Sequence, residues 1–191
     1  MRPLASLFVA CLMALGGSAI AQRPDPVALI ASQIEAMRTF AMLDGQWRGE
    51  ATVSEADGTR LTFMQTERIG PFLGGSVKVI EGRGYNDAGG VRFNAFGIVS
   101  YDPATRAYMM HSHAQGYVGD FAFVPTGDGY RWEIPLGPAG RIRYVATIKD
   151  GELYEVGDRI APGGASLRIF EMRLKRIGDT DWPAAGAVGP K

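Results

Sequence analysis

In the stretch Arg141-Ile142-Arg143-Tyr144-Val145-Ala146-Thr147-Ile148-Lys149-Asp150-Gly151-Glu152, side chains alternate from Arg141 to Lys149 and then stop at Asp-Gly. Ile142, Tyr144, Ala146 and Ile148 oppose Arg141, Arg143, Thr147 and Lys149, the period-two signature of a strand with one face on a core. Asp150-Gly151 supplies the positive φ angles of a tight reversal, and a second strand is predicted over 152–159. Upstream, Tyr130, Trp132 and Ile134 share one face while Arg131 and Glu133 share the other. Working outward, further strands are predicted at 46–55, 59–69, 77–85, 92–101, 107–113, 117–124 and 166–176. They are punctuated by Asp57-Gly58, Asp87 to Gly90, Asp102-Pro103, Gly127 to Gly129 and Gly163-Gly164. Gly70 to Gly75 and Leu136 to Gly140 read as longer connections. Sequential hairpins without crossovers form a meander, and closing it removes two exposed edges. The expected fold is an all-β, antiparallel up-and-down barrel of about ten strands with one N-terminal helix. One strand keeps its faces ambiguous: Phe93, Val99 and Tyr101 oppose Phe96 and Ile98.

The 191 residues carry 20 basic and 20 acidic side chains, so no excess of one sign is available to follow a phosphate backbone, and no nucleic-acid partner is expected. Hydrophobic residues at 46% and charged residues at 21% suit a globular chain rather than a disordered one. A single domain of this size hides roughly 70% of the surface of its unfolded chain, enough for a core without disulfides or metal.

Arg2, the apolar run from Leu4 to Leu15 and Ala19-Ile20-Ala21 read as an export leader over 1–21, cleaved before Gln22. The run is too short to anchor in a bilayer. A periplasmic or secreted protein with no integral membrane span is expected. Cys11, the single cysteine, would leave with the leader, taking disulfides and cysteine catalysis with it. A helical segment over 22–42 follows, capped by Asp25, with Pro26 in its first turn and Val27, Ile30, Ile34, Met37 and Ala41 on one stripe. Leu29 and Phe40 fall off that stripe. The barrel domain is expected over 43–182 and a loosely held tail over 183–191.

Leu43-Asp44-Gly45-Gln46-Trp47-Arg48-Gly49-Glu50, Pro71-Phe72-Leu73-Gly74-Gly75, Gly97 to Pro103 and Gly178-Asp179-Thr180-Asp181-Trp182, in this order, carry a family look. Together they resemble the bacterial lipocalin-like, calycin-like proteins grouped as domain of unknown function family 1579. The resemblance implies a barrel with an interior ligand site and no established reaction, with Trp47 closing the barrel floor. Gly45-x-Trp47-x-Gly49 is also similar to the opening of nitrobindin-type haem barrels. There a third glycine follows, where this chain has Ala51, and a histidine near the chain's end binds iron, where the strand at 166–176 has none.

His111 and His113 share one face of a strand and could begin a metal or haem site, but zinc needs three or four protein ligands and none is at ligand spacing. No nucleophile elbow, phosphate loop, zincin or calcium-loop motif occurs. Gly82-Arg83-Gly84 lacks a third glycine and a following helix, so it reads as a strand end. Three carboxylates share apolar faces: Glu67 with Leu61, Phe63 and Ile69, Glu81 with Val77, Val79 and Tyr85, and Glu171 with Leu167 and Ile169. Turned inward, such groups would be desolvated general acids or bases of a small lyase or isomerase, with Tyr144, Tyr154, Arg143 or Arg173 as partners. The expected ligand is instead a small hydrophobic molecule. Its expected lining is Phe63, Met109, His111, Phe121, Phe123, Trp132, Tyr144 and Met172, with Glu81, Arg143 and Glu171 as polar anchors. No catalytic residue, metal or obligatory cofactor is assigned.

Overall fold

Asp25 accepts a hydrogen bond from the Val27 amide at 3.0 Å, and Pro26 opens α1 (Pro26–Met37), as the cap chemistry dictates. The computed structural model describes residues 25–55, 57–180 and 182. The leader, its Cys11, the cleavage before Gln22 and the tail over 183–191 lie outside these residues. Val27 and Ile30, at the start of the predicted stripe, are exposed, and Ala41 is exposed as well. The buried anchors come later, at Met37, Phe40 and Leu43, because a short 3₁₀ helix (Arg38–Leu43) tightens the turn after α1 and re-aims the face. Phe40, off the predicted stripe, is fully buried and packs against Tyr108 and Phe123.

Eleven strands follow: β1 (Gly45–Ser54), β2 (Arg60–Phe72), β3 (Val77–Tyr85), β4 (Val91–Asp102), β5 (Ala107–Ala114), β6 (Tyr117–Ala122), β7 (Val124–Thr126), β8 (Gly129–Pro135), β9 (Arg141–Lys149), β10 (Glu152–Ile160) and β11 (Ser166–Gly178). They form one antiparallel sheet in the order β6-β5-β4-β3-β2-β1-β11-β10-β9-β8-β7, a nearly closed barrel. First and last strands meet: β1 pairs β11 from Gln46↔Gly178 to Val53↔Phe170. The remaining opening lies in the middle of the chain. β6 and β7 are one traverse interrupted at Phe123, with β6 bonded to β5 and β7 bonded to β8. A single predicted strand over 117–124 thus becomes two because it changes partner. Above the switch, among the described residues, β6 and β8 share no ladder and are bridged by the Phe121 and Trp132 rings, 5.3 Å apart.

One end of this barrel is closed by the segment that enters it. Trp47 is buried, and its indole N–H donates to the Leu43 carbonyl at 2.9 Å, with Phe40 beneath Phe123 and Phe123 stacked on Tyr130 at 4.6 Å. Lys78, on the same side of β3 as Ile80 and Gly82, is buried there against the Asp44 carboxylate. The mixed apolar character of β4 is resolved on the outer wall: Trp182 contacts Phe72 and Phe96, so the outward Phe96 has a partner. Phe93, Ala95, Gly97 and Val99 face in.

Removing Asp44 leaves the Lys78 ammonium buried without its counter-charge. Asp44→Ala is expected to lower unfolding stability by roughly 3 kcal/mol in urea titrations, and adding Lys78→Met should recover most of it. A change below about 0.5 kcal/mol for Asp44→Ala would show that the pair does not hold the floor.

Candidate functional site

Alternation carries Phe63, Gln65, Glu67 and Ile69 of β2 to the inside, the same side as Trp47 of β1, which lies opposite Glu67 in the ladder. The neighbouring wall is built from small residues: Gly82 on β3, Ala95 and Gly97 on β4, Ser112 and Ala114 on β5. The opposite wall carries Tyr130, Trp132, Tyr144, Phe170 and Met172. Five small residues on the first wall, set among Ile80, Phe93 and Met110, face larger side chains on the other and leave a cavity of about 390 Å³. Its upper rim is formed by Val53, Ser54, Phe93, Ala114, Ile134 and Ile169, all near the ends of strands opposite the floor.

Close approach explains the glycines of Gly82-Arg83-Gly84, which are inner-wall positions of β3. A Cβ at Gly82 would stand 2.7 Å from Glu67 Oε1, and one at Gly84 would stand 2.5 Å from the Phe63 ring. The β2 side chains lie across bare backbone, which is how a glutamate fits against the wall.

Two carboxylates therefore sit inside the barrel. Glu67 accepts from Gln65 Nε2 at 2.7 Å, and Glu155, only 8% exposed, accepts from the Trp132 indole at 3.3 Å. Burial pushes Glu67 up to about 8, against the pull of the Gln65 hydrogen bond and with the charges of Glu155 and Glu81 adding to the rise. Burial likewise pushes Glu155 up to about 7, opposed by hydrogen bonds from Trp132 and Tyr130. Tyr144 is driven to about 12 by burial and then by the Glu155 charge, and Tyr130 well above its ordinary value for the same reasons. The site thus holds two acids that change protonation near neutrality beside two phenols that keep their protons.

Phe63, Trp132, Tyr144 and Met172 line this cavity, while Phe123 belongs to the floor and Phe121 packs on Trp132 at the seam. Five expected positions are corrected, because the alternation phase turns them outward. Met109 is 38% exposed, and its neighbour Met110 takes the interior place. His111 is exposed, with Nδ1 2.6 Å from Asp120 Oδ1, and the exposed His113 stands beside it, so neither imidazole can ligate a haem or metal within the barrel. Among the described residues no group of three or more metal-binding side chains occurs elsewhere. Glu81 pairs with Arg83 on the outer wall, Arg143 Nε donates to Glu133 Oε1 at 2.6 Å, and Glu171 accepts from the Tyr154 hydroxyl at 3.2 Å. Tyr154 itself lies under the Arg173 guanidinium, also outside. A wider groove of about 560 Å³ runs past Glu81, Arg83, Phe96 and His113, on the outer face rather than in the lumen.

Gln65 and Glu155 are polar lumen residues that the alternation of the flanking strands did not single out, although a signal for Glu155 existed. The Asp150-Gly151 turn pairs Lys149 with Glu152, which sets Glu155 opposite Ala146 on the already assigned inner face of β9.

Because both acids have raised values in the folded state, the native protein binds more protons than the unfolded chain between about pH 4.5 and 8. Their contribution to stability is full below the unfolded value and is lost as pH rises through the folded ones. Unfolding free energy measured from pH 5 to 8.5 should fall by on the order of 6 kcal/mol, and Glu67→Gln with Glu155→Gln should flatten that slope. An unchanged slope in the double variant would place the titrating groups elsewhere.

No family model matches this chain, and no curated protein matches it. Among solved structures, the chain is similar to the crystal structure of Rv2717c from M. tuberculosis. The TM-score is 0.56 at 14% sequence identity, covering 74% of this chain and 97% of that one. At this identity the likeness speaks for the barrel fold alone, and the resemblance to family 1579 carries no further than that fold.

Proposed function

We propose that the protein binds a small, largely apolar molecule inside the barrel. The observation that carries this reading is the lumen itself: about 390 Å³ left unfilled between aromatic and aliphatic walls, with a few polar groups converging on it. Protein interiors ordinarily pack to near crystal density. Here the inner wall of β3, β4 and β5 sets Gly82, Ala95, Gly97, Ser112 and Ala114 among Ile80, Phe93 and Met110, where larger residues would close the space. The leader read over 1–21 supports placing this binding in the periplasm or outside the cell. Among the described residues no helix is long and apolar enough to cross a membrane.

A second reading is favoured by one feature, the pair of lumen carboxylates with values near neutrality. Glu67 or Glu155, with Tyr130 or Tyr144 as a proton-holding partner, has the groups of a small isomerase or lyase. The outward Glu81 and Glu171 take no part in it.

Binding is tested with a small neutral fluorophore, 2-naphthol, and with native mass spectrometry of freshly purified protein. Saturable one-to-one binding is expected. Gly97→Leu should weaken it at least tenfold, since a Cβ at Gly97 meets the Met110 side chain at 3.4 Å and the His111 carbonyl oxygen at 3.9 Å, ordinary contacts, and its branches would enter the lumen. Equal affinity in a folded Gly97→Leu protein would move the site out of the barrel.

A further inference from the structure

The polar groups that face the lumen are weighted toward acceptors. Glu67 and Glu155 bring carboxylates, and the Gln65 side-chain oxygen is buried with no hydrogen-bond partner, on a residue only 2% exposed. Three of the donors nearby are already committed, Gln65 Nε2 to Glu67 and the Trp132 indole and Tyr130 hydroxyl to Glu155, and the Tyr144, Ser54 and Ser112 hydroxyls, which donate or accept, complete the polar lining. The ammonium on the same side of β3, Lys78, is held by Asp44. Trp132 and Tyr144 add aromatic faces, stacked on one another at 4.3 Å and 10°, beside the Glu155 carboxylate. An unpartnered buried acceptor costs free energy until a donor reaches it, and aromatic faces attract cations.

From this we infer that the lumen receives an organic ammonium, an aryl- or alkylamine of up to roughly fifteen non-hydrogen atoms. Its N–H groups are taken by Glu67, Glu155 and the Gln65 oxygen, and its apolar body lies against the small-residue wall. The inference rests on the interior-binding reading and names the ligand class for it. A neutral alcohol offers one donor and no charge, while a carboxylate ligand would add a third acidic group to two that burial already holds back from ionising.

The titratable groups around the ammonium are Glu67 from β2, Glu155 from β10, Tyr130 from β8 and Tyr144 from β9, with the charge of Glu81 reaching Glu67 from the outer side of β3. β1, β4, β5 and β11 contribute no titratable side chain to the lining. An ammonium binds the ionised acids, so its entry releases protons, and its affinity rises with pH until the amine itself deprotonates.

The test is isothermal titration of the intact protein with tryptamine, tryptophol and indole-3-acetate, three ligands with one shared ring. Tryptamine is expected to bind at least tenfold tighter than tryptophol at pH 7.5, with indole-3-acetate weakest. Its advantage should grow from pH 6 to 8, with proton release seen as a buffer-dependent heat. Glu67→Gln with Glu155→Gln should erase that advantage, so that tryptamine binds no tighter than tryptophol at any pH between 6 and 8. Should the double variant fail to fold, the wild-type pH profile and Glu155→Gln alone carry the test. Tryptophol binding as tightly as tryptamine, or an advantage indifferent to pH, overturns the ammonium assignment while interior binding stands. If neither tryptamine nor tryptophol binds and 2-naphthol does not bind either, both readings fall.

Discussion

The ladder between β1 and β11 is the constraint on which the rest depends. It joins the two ends of the strand run in a fixed antiparallel register, so that every inner position around the barrel is defined relative to Trp47. Gly49 shows how tight that join is: a Cβ there would stand 2.1 Å from the Arg173 carbonyl oxygen. A slip of one residue would send Trp47 and Glu67 to solvent and bring their polar neighbours inside. Because the join is made at the chain's ends, the remaining gap falls in the middle, where β6 and β7 change partner at Phe123. Aromatic rings take over there from backbone hydrogen bonds.

Closure alone does not produce a cavity, since a barrel can be filled by its own side chains. The space arises from an imbalance. The strands from β8 to β11 carry Tyr130, Trp132, Tyr144, Phe170 and Met172 inward, while β3 to β5 intersperse Ile80, Phe93 and Met110 with Gly82, Ala95, Gly97, Ser112 and Ala114. The same bare backbone accommodates the Glu67 carboxylate over Gly82, so the feature that leaves room also admits the charge. Burial then raises the acids toward neutrality, which links the shape of the lumen to its chemistry.

Much of the architecture was legible in the residues. The predicted strands at 77–85 and 141–149 coincide with β3 and β9, and the inward faces of β8 and β9 follow from clean alternation. The Asp25 cap and the meander order were likewise open to reading, whereas Trp47 on the floor followed from the family resemblance rather than from local pattern. The candidate site was only half legible. Phe63, Trp132, Tyr144 and Met172 stand on the lumen, whereas Met109, His111, Glu81, Arg143 and Glu171 point away from it. Adjacent methionines at 109 and 110 offer no local preference for one phase. The face carrying Glu81 includes Val79, which is buried on the outer side, so an apolar neighbour was no guide to the interior.

By itself the sequence determined what is local: where the chain turns, where it is extended, where the helix starts and which residues share a face. These follow from φ preferences, capping groups and the two-residue pleat, all properties of neighbouring residues. The tertiary structure decided which face of an ambiguous strand is inside, where the sheet stays open, and that Glu67, Glu155 and Gln65 converge on one lumen. Those outcomes depend on registers between strands far apart in the chain, and on the volumes that meet across the barrel, which no local pattern encodes.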